Sequence, residues 1–173
     1  MIKYSKKGLS LLDVIFAIGI AVVGLLGIIG LLRYVIILGR ASSDRFIAVN
    51  LAQEGIEIVR AVRDSSWPAP YMSIYASAIF PIGSATNYKV DYRQTALLPY
   101  VSEDDTILNI DGAGFYSYAA GTATKFKRRI YLDPTIQCTA DINDNGQCVK
   151  VVSEVKWGNY TLVVEDRLYN WKP

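Results

Sequence analysis

The chain has 173 residues, 18 basic and 16 acidic side chains and no histidine, and its length leaves room for one membrane or filament helix and one small globular domain. Without histidine, Ser-His and Cys-His nucleophile pairs are excluded, and so is the commonest side-chain general base and transition-metal ligand. The formal charge of +2 is unevenly placed: three lysines precede residue 9, one acid stands at Asp13, and fifteen basic residues balance fifteen acidic ones from Arg33 onward. A neutral body gives no global signal for nucleic acid or for an anionic surface.

Lys3, Lys6 and Lys7 lead into Gly8, Leu9, Ser10, Leu11 and Leu12, then the lone carboxylate of Asp13. No further charge follows until Arg33, and Val14 to Leu32 suffices to cross a ~30 Å hydrocarbon core at ~1.5 Å rise per residue. A secretory signal peptide has its cleavage site after the apolar segment. Here the small-residue junction lies before it, so cleavage at Gly8 would release residues 1–8 and retain the apolar helix. The lysines favour a cytoplasmic N-terminus with the remainder outside.

Leu9 to Arg63 lacks proline, which predicts one long helix. Its first part, 9–32, is apolar all round apart from Ser10 and Asp13, as in a helix surrounded by lipid or other helices. Gly24, Gly27 and Gly30 recur every third residue and form a narrow strip suited to close helix–helix approach, although glycine is also simply frequent in membrane helices. The second part, 33–66, turns amphipathic, with Phe46, Val49, Gln53, Ile56 and Val59 as the expected inward stripe. Pro68 and Pro70 end the helix.

Residues 67–173 form the predicted sheet domain. Residues 71–87 read as a loop with a short helical turn at 72–79. Tyr88–Arg93 alternates as a strand, 97–124 reads as irregular, and Phe126–Leu132 is a second strand. Runs 147–157 and 160–168 flank Gly158-Asn159, a two-residue hairpin loop. Val149, Val151, Val155 and Trp157 are expected on one buried face, opposite Tyr160, Leu162, Val164 and Leu168. The fold class is thus α+β: a long N-terminal helix whose second half covers one face of a small antiparallel sheet.

Cys138 and Cys148 are close in sequence, and in an exported domain they most simply form one disulfide. Asp141, Asn143 and Asn145, followed by Gly146, fit the start of a calcium loop, but its twelfth position is Val152 rather than Glu. A polar turn between the cysteines explains the same residues and is preferred, so no metal or cofactor is expected. Lys125, Lys127, Arg128 and Arg129 suggest DNA contact, yet alternation puts Lys127 and Arg129 on one strand face, which reads as solvated sheet surface. No phosphate loop, metal cluster or nucleophile arrangement is present, and the chain reads as a non-enzyme.

Lys7 to Val14 resembles the leader junction of type IV pilins and pseudopilins. That resemblance implies cleavage by a prepilin peptidase between Gly8 and Leu9, N-methylation of Leu9, and an acidic residue at the fifth mature position, here Asp13. The family's usual residues are Phe and Glu where this chain has Leu9 and Asp13. Residues 51–67 and 151–157 are similar to PilV-type minor pilins and GspI-like minor pseudopilins. The resemblance implies a pilin-like fold and a subunit held in the membrane before assembly. It would then join other pilin subunits in a helical filament through an assembly platform protein, ending in an extracellular pilus or a periplasmic pseudopilus. The alternatives are a minor pseudopilin of a type II secretion system, a membrane anchor that never assembles, and a membrane-anchored adhesin or DNA-binding surface protein.

Overall fold

The computed structural model describes residues 10–65, 86–93, 97–135 and 148–169. Helix α1 runs unbroken from Leu11–Ser65. Among the described residues seven strands follow: β1 (Thr86–Lys89), β2 (Leu98–Pro99), β3 (Ile107–Ile110), β4 (Tyr116–Ser117), β5 (Thr122–Asp133), β6 (Cys148–Trp157) and β7 (Tyr160–Tyr169), with a 3-10 turn at Asp104–Thr106. The chain divides into two compact units, Met1–Asp44 and Arg45–Pro173.

In the second unit, β5 is the spine of a seven-stranded antiparallel sheet. One of its edges carries β6, with Phe126 opposite Trp157 and Asp133 opposite Lys150. The other edge is shared end to end by β3, through Ile107 opposite Lys127, and β1, through Tyr88 opposite Ile130. A register shift between Ile107 and Asn109 marks a bulge in β3. β2 extends β1, β4 extends β3, and β7 pairs with β6. The β6–β7 turn is Gly158-Asn159; Gly158 adopts φ +54°, which an L side chain rarely tolerates.

Two apolar clusters join the last part of α1 to the inner sheet face. Ile56 and Val59 pack with Val90, Ile130, Leu132, Val149, Val151 and Leu168. Ala48, Leu51 and Ala52 pack with Leu108, Phe126, Val155 and Trp157. The buried row on β6 is as expected, and Leu168 joins it from β7; Leu162 and Val164 are half-buried against it, whereas Tyr160 is 65% exposed.

The helix stripe differs from its expected position. Ile56 and Val59 are buried, but Phe46 is 68% exposed and Gln53 is also exposed; Ala48, Leu51, Ala52 and Gly55 face the sheet instead. The reason is distance. A Cβ on Gly55 would stand 2.8 Å from Ser153 Oγ and 2.9 Å from Ile130 Cδ1, so the helix meets the sheet through its smallest side chains. The strand expected at 88–93 occupies 86–89, because the Asp91 carboxylate accepts the Arg93 N–H at 2.8 Å and turns the chain. The stretch read as irregular holds β2, β3 and β4, each too short to display a period. The helical turn expected at 72–79 lies outside the described residues.

Candidate functional site

The first unit is the candidate site, and its chemistry is that of an exposed apolar helix. From Leu11 to Leu38 the large apolar side chains are all solvent-facing, Leu11 at 79% and Phe16 at 63%. This helix is long and apolar enough to cross a membrane. Its only charged side chain before Arg33 is Asp13, in the first helical turn, where the macrodipole favours negative charge. Asp13 Oδ2 accepts the Ser10 N–H at 3.2 Å, and the Ser10 carbonyl accepts the N–H groups of Asp13 at 3.0 Å and Val14 at 3.4 Å. Asp13 thus satisfies one of the donors that every helix start leaves unpaired.

Gly24, Gly27 and Gly30 have nothing within 4 Å of the place where a Cβ would sit, and the same holds for Gly19 and Gly39. At ~100° per residue, each three-residue step turns the strip back by about 60°. The strip is open, as a surface for another backbone would be. Gly19 also floors a shallow apolar groove lined by Ile15, Phe16, Ile20 and Val23. Gly8, Leu9, Cys138, Asp141, Asn143 and Asn145 lie outside the described residues. Cys148, buried at the start of β6, is disulfide-bonded.

In the second unit the basic cluster is dispersed rather than assembled. On the outer sheet face, Lys127 pairs with Asp104 at 3.1 Å, Arg129 with Glu154 at 3.0 Å, and Lys156 with Glu103 and Glu154 at 3.5 Å each. Lys125 lies 5.7 Å from the Phe126 ring centre. A surface whose cations are matched by carboxylates holds little potential for a phosphate backbone. Among the described residues, no group of three or more His, Cys, Asp or Glu side chains is placed to hold a metal ion.

Arg128 departs from this face altogether. It is fully buried beneath α1, donating from Nη1 to the Leu51 carbonyl and Glu54 Oε2, each at 3.0 Å, and from Nη2 to the Val90 carbonyl at 2.5 Å. The strand alternation that places Lys127 and Arg129 outward also puts Arg128 in one row with Phe126, Ile130 and Leu132, so its burial was readable in the sequence. Tyr118 donates its hydroxyl to the Arg128 carbonyl at 2.9 Å, and burial raises its pKa above the ordinary phenol value.

A second polar knot sits at the β3–β4 turn. Asp111 accepts from the Tyr92 hydroxyl at 2.6 Å, Arg93 Nη2 at 2.7 Å, and the N–H groups of Ala113 at 2.9 Å and Phe115 at 3.1 Å. The Tyr92 hydrogen bond first, then the two backbone donors and Arg93, hold its pKa down to about 2.

Fold and site together define an α+β protein with an N-terminal helix of membrane-spanning length and composition. Comparison with family models, with curated proteins and with solved structures finds no match to this chain.

Proposed function

We propose that the chain is a structural subunit, of the minor pilin class, of a type IV pilus or related filament. The observation that carries the reading is the juxtaposition of the Lys6-Lys7-Gly8-Leu9 junction and Asp13 with an apolar helix exposed from Leu11 to Leu38. A helix this apolar has two stable surroundings, lipid and other helices of its kind. A filament subunit needs both in turn. The membrane holds it first, a prepilin peptidase trims it after Gly8 and methylates Leu9, and an assembly platform protein moves it into the bundle.

Asp13 supplies the register. A carboxylate costs ~2.5–3.5 kcal/mol at the centre of a membrane helix and less near an end, so it gains from a cationic partner. Cleavage before Leu9 creates an α-amino cation about one turn away, and in a bundle a neighbouring subunit's amino group serves equally. Any other axial offset leaves a charge buried alone.

The globular unit forms the outer layer in this reading and contributes no catalysis. Mass spectrometry of the mature N-terminus tests it. Methylated Leu9 as the first residue is the expected outcome, and an intact Met1 start would overturn it.

A further inference from the structure

The tip of the β6–β7 hairpin combines an acceptor sequence, solvent exposure and a strand edge that is unpaired among the described strands. Asn159-Tyr160-Thr161 matches N-x-[ST], and none of the other six asparagines (50, 87, 109, 143, 145 and 170) has Ser or Thr two residues on. Asn159, Tyr160 and Thr161 are all exposed, on a two-residue turn closed by the Trp157–Tyr160 pair. Asn159 lies in the turn itself, ahead of the first ladder pairs of β7, and it and Thr161 both face solvent.

The surroundings give a second, independent reason. β7 pairs with β6 only among the described strands, so its other edge is bare there. Its C-terminal half is guarded: Arg60 holds Asp166 at 2.7 Å, Asp166 takes the Arg167 N–H at 2.8 Å, and Arg63 reaches the Tyr169 carbonyl at 3.3 Å. Its N-terminal half, Tyr160-Thr161-Leu162-Val163-Val164, has no charge, no proline and no bulge. That is the composition of a strand that pairs with its copies. The exposed Tyr160 ring, stacked on Trp157 at 5.7 Å between centroids, enlarges the apolar surface.

We propose that Asn159 carries an N-linked oligosaccharide that shields this edge. The donor class is a lipid pyrophosphate-linked oligosaccharide. The Asn159 Nδ2–sugar C1 bond forms as the C1–O bond to phosphate breaks, the lipid pyrophosphate leaves, and the amide proton passes to a base. Because the domain must meet this donor outside the cytoplasm, the proposal rests on the exported topology of the filament reading.

The test is glycopeptide mass spectrometry on the full chain from its own cells. Tryptic peptide 157–167 should carry an oligosaccharide localised to Asn159. Asn159→Gln and Thr161→Ala should remove it, and Thr161→Ser should retain it. Unmodified Asn159, or sugar on any other residue of that peptide, would overturn the proposal. The N-terminal peptide of the same digest reports separately on cleavage after Gly8, so a failure of the glycan proposal is distinguished from a failure of the filament reading it rests on.

Discussion

Asp111 shows how a single side chain fixes a loop that sequence pattern leaves formless. Its two oxygens gather four donors, from Tyr92, Arg93, Ala113 and Phe115, and so tie the turn after β1 to the turn between β3 and β4. The arrangement favours the charged form, which is why its pKa falls from 3.8 to about 2. The sign of the linkage follows. In the unfolded chain the carboxyl takes up its proton near pH 4, whereas in the folded one it resists until about pH 2. Its contribution to stability is therefore complete above about pH 4 and is lost as pH falls toward 2. Urea titrations between pH 2 and 6 should show a steeper acid-side loss in the native chain than in Asp111→Asn. The variant should also be less stable at pH 7, because an amide replaces an acceptor of four bonds. Parallel pH curves for the two proteins would contradict this account.

At the scale of elements, the join between helix and sheet rests on one large cation and one absent side chain. Gly55 lets α1 come close enough for Arg128 to reach the Leu51 carbonyl and Glu54 from below, while its other nitrogen grips Val90 beside β1. Replacing Arg128 by Ala leaves two carbonyls and a half-buried carboxylate without their donor and opens a cavity. Losing the buried charged donor and opening a cavity together cost about 2–4 kcal/mol, which a fall in the urea midpoint at unchanged slope would register. A loss within ±0.5 kcal/mol, the range of ordinary surface substitutions, would show that the clamp is incidental.

The long helix, the β6–β7 hairpin and its buried face were legible, because a proline-free apolar run and a Gly-Asn turn between alternating strands are local signals. The inward stripe of α1 was not, because hydrophobicity ranks Phe46 above Ala48 and Gly55, and only the closeness of the sheet reverses that order. Arg128 was missed for a related reason. A run of basic residues reads as surface until strict alternation is applied to every member. The short strands β2, β3 and β4 depend on Asp111, Asp91 and pairing to β1, β5 and β3 respectively, and those are contacts that no local period reports.

At the scale of the whole molecule, one continuous helix serves two units with opposite requirements. From Ala48 onward it buries a stripe in the sheet domain, and before Arg40 it buries nothing. A variant in the first unit can therefore spare the fold of the second, and this makes Asp13 a clean test of the proposed filament assembly. Asp13→Ala removes the one carboxylate from the apolar segment and forfeits a single local bond to the Ser10 N–H, a cap worth about 1 kcal/mol. The sheet domain should keep its melting temperature, and the proposed cleavage after Gly8 should persist. Incorporation into filaments, read by shearing and quantifying the subunit against its membrane pool, should fall by roughly tenfold or more, since ~1.4 kcal/mol is already a factor of ten. Asp13→Glu should restore it, because a carboxylate one methylene longer still reaches a neighbouring amino group. Asp13→Asn should not, because it keeps the shape and loses the charge. Normal incorporation of Asp13→Ala would reduce Asp13 to a helix cap at the membrane surface, and the register of any bundle would then have to come from the glycine strip alone.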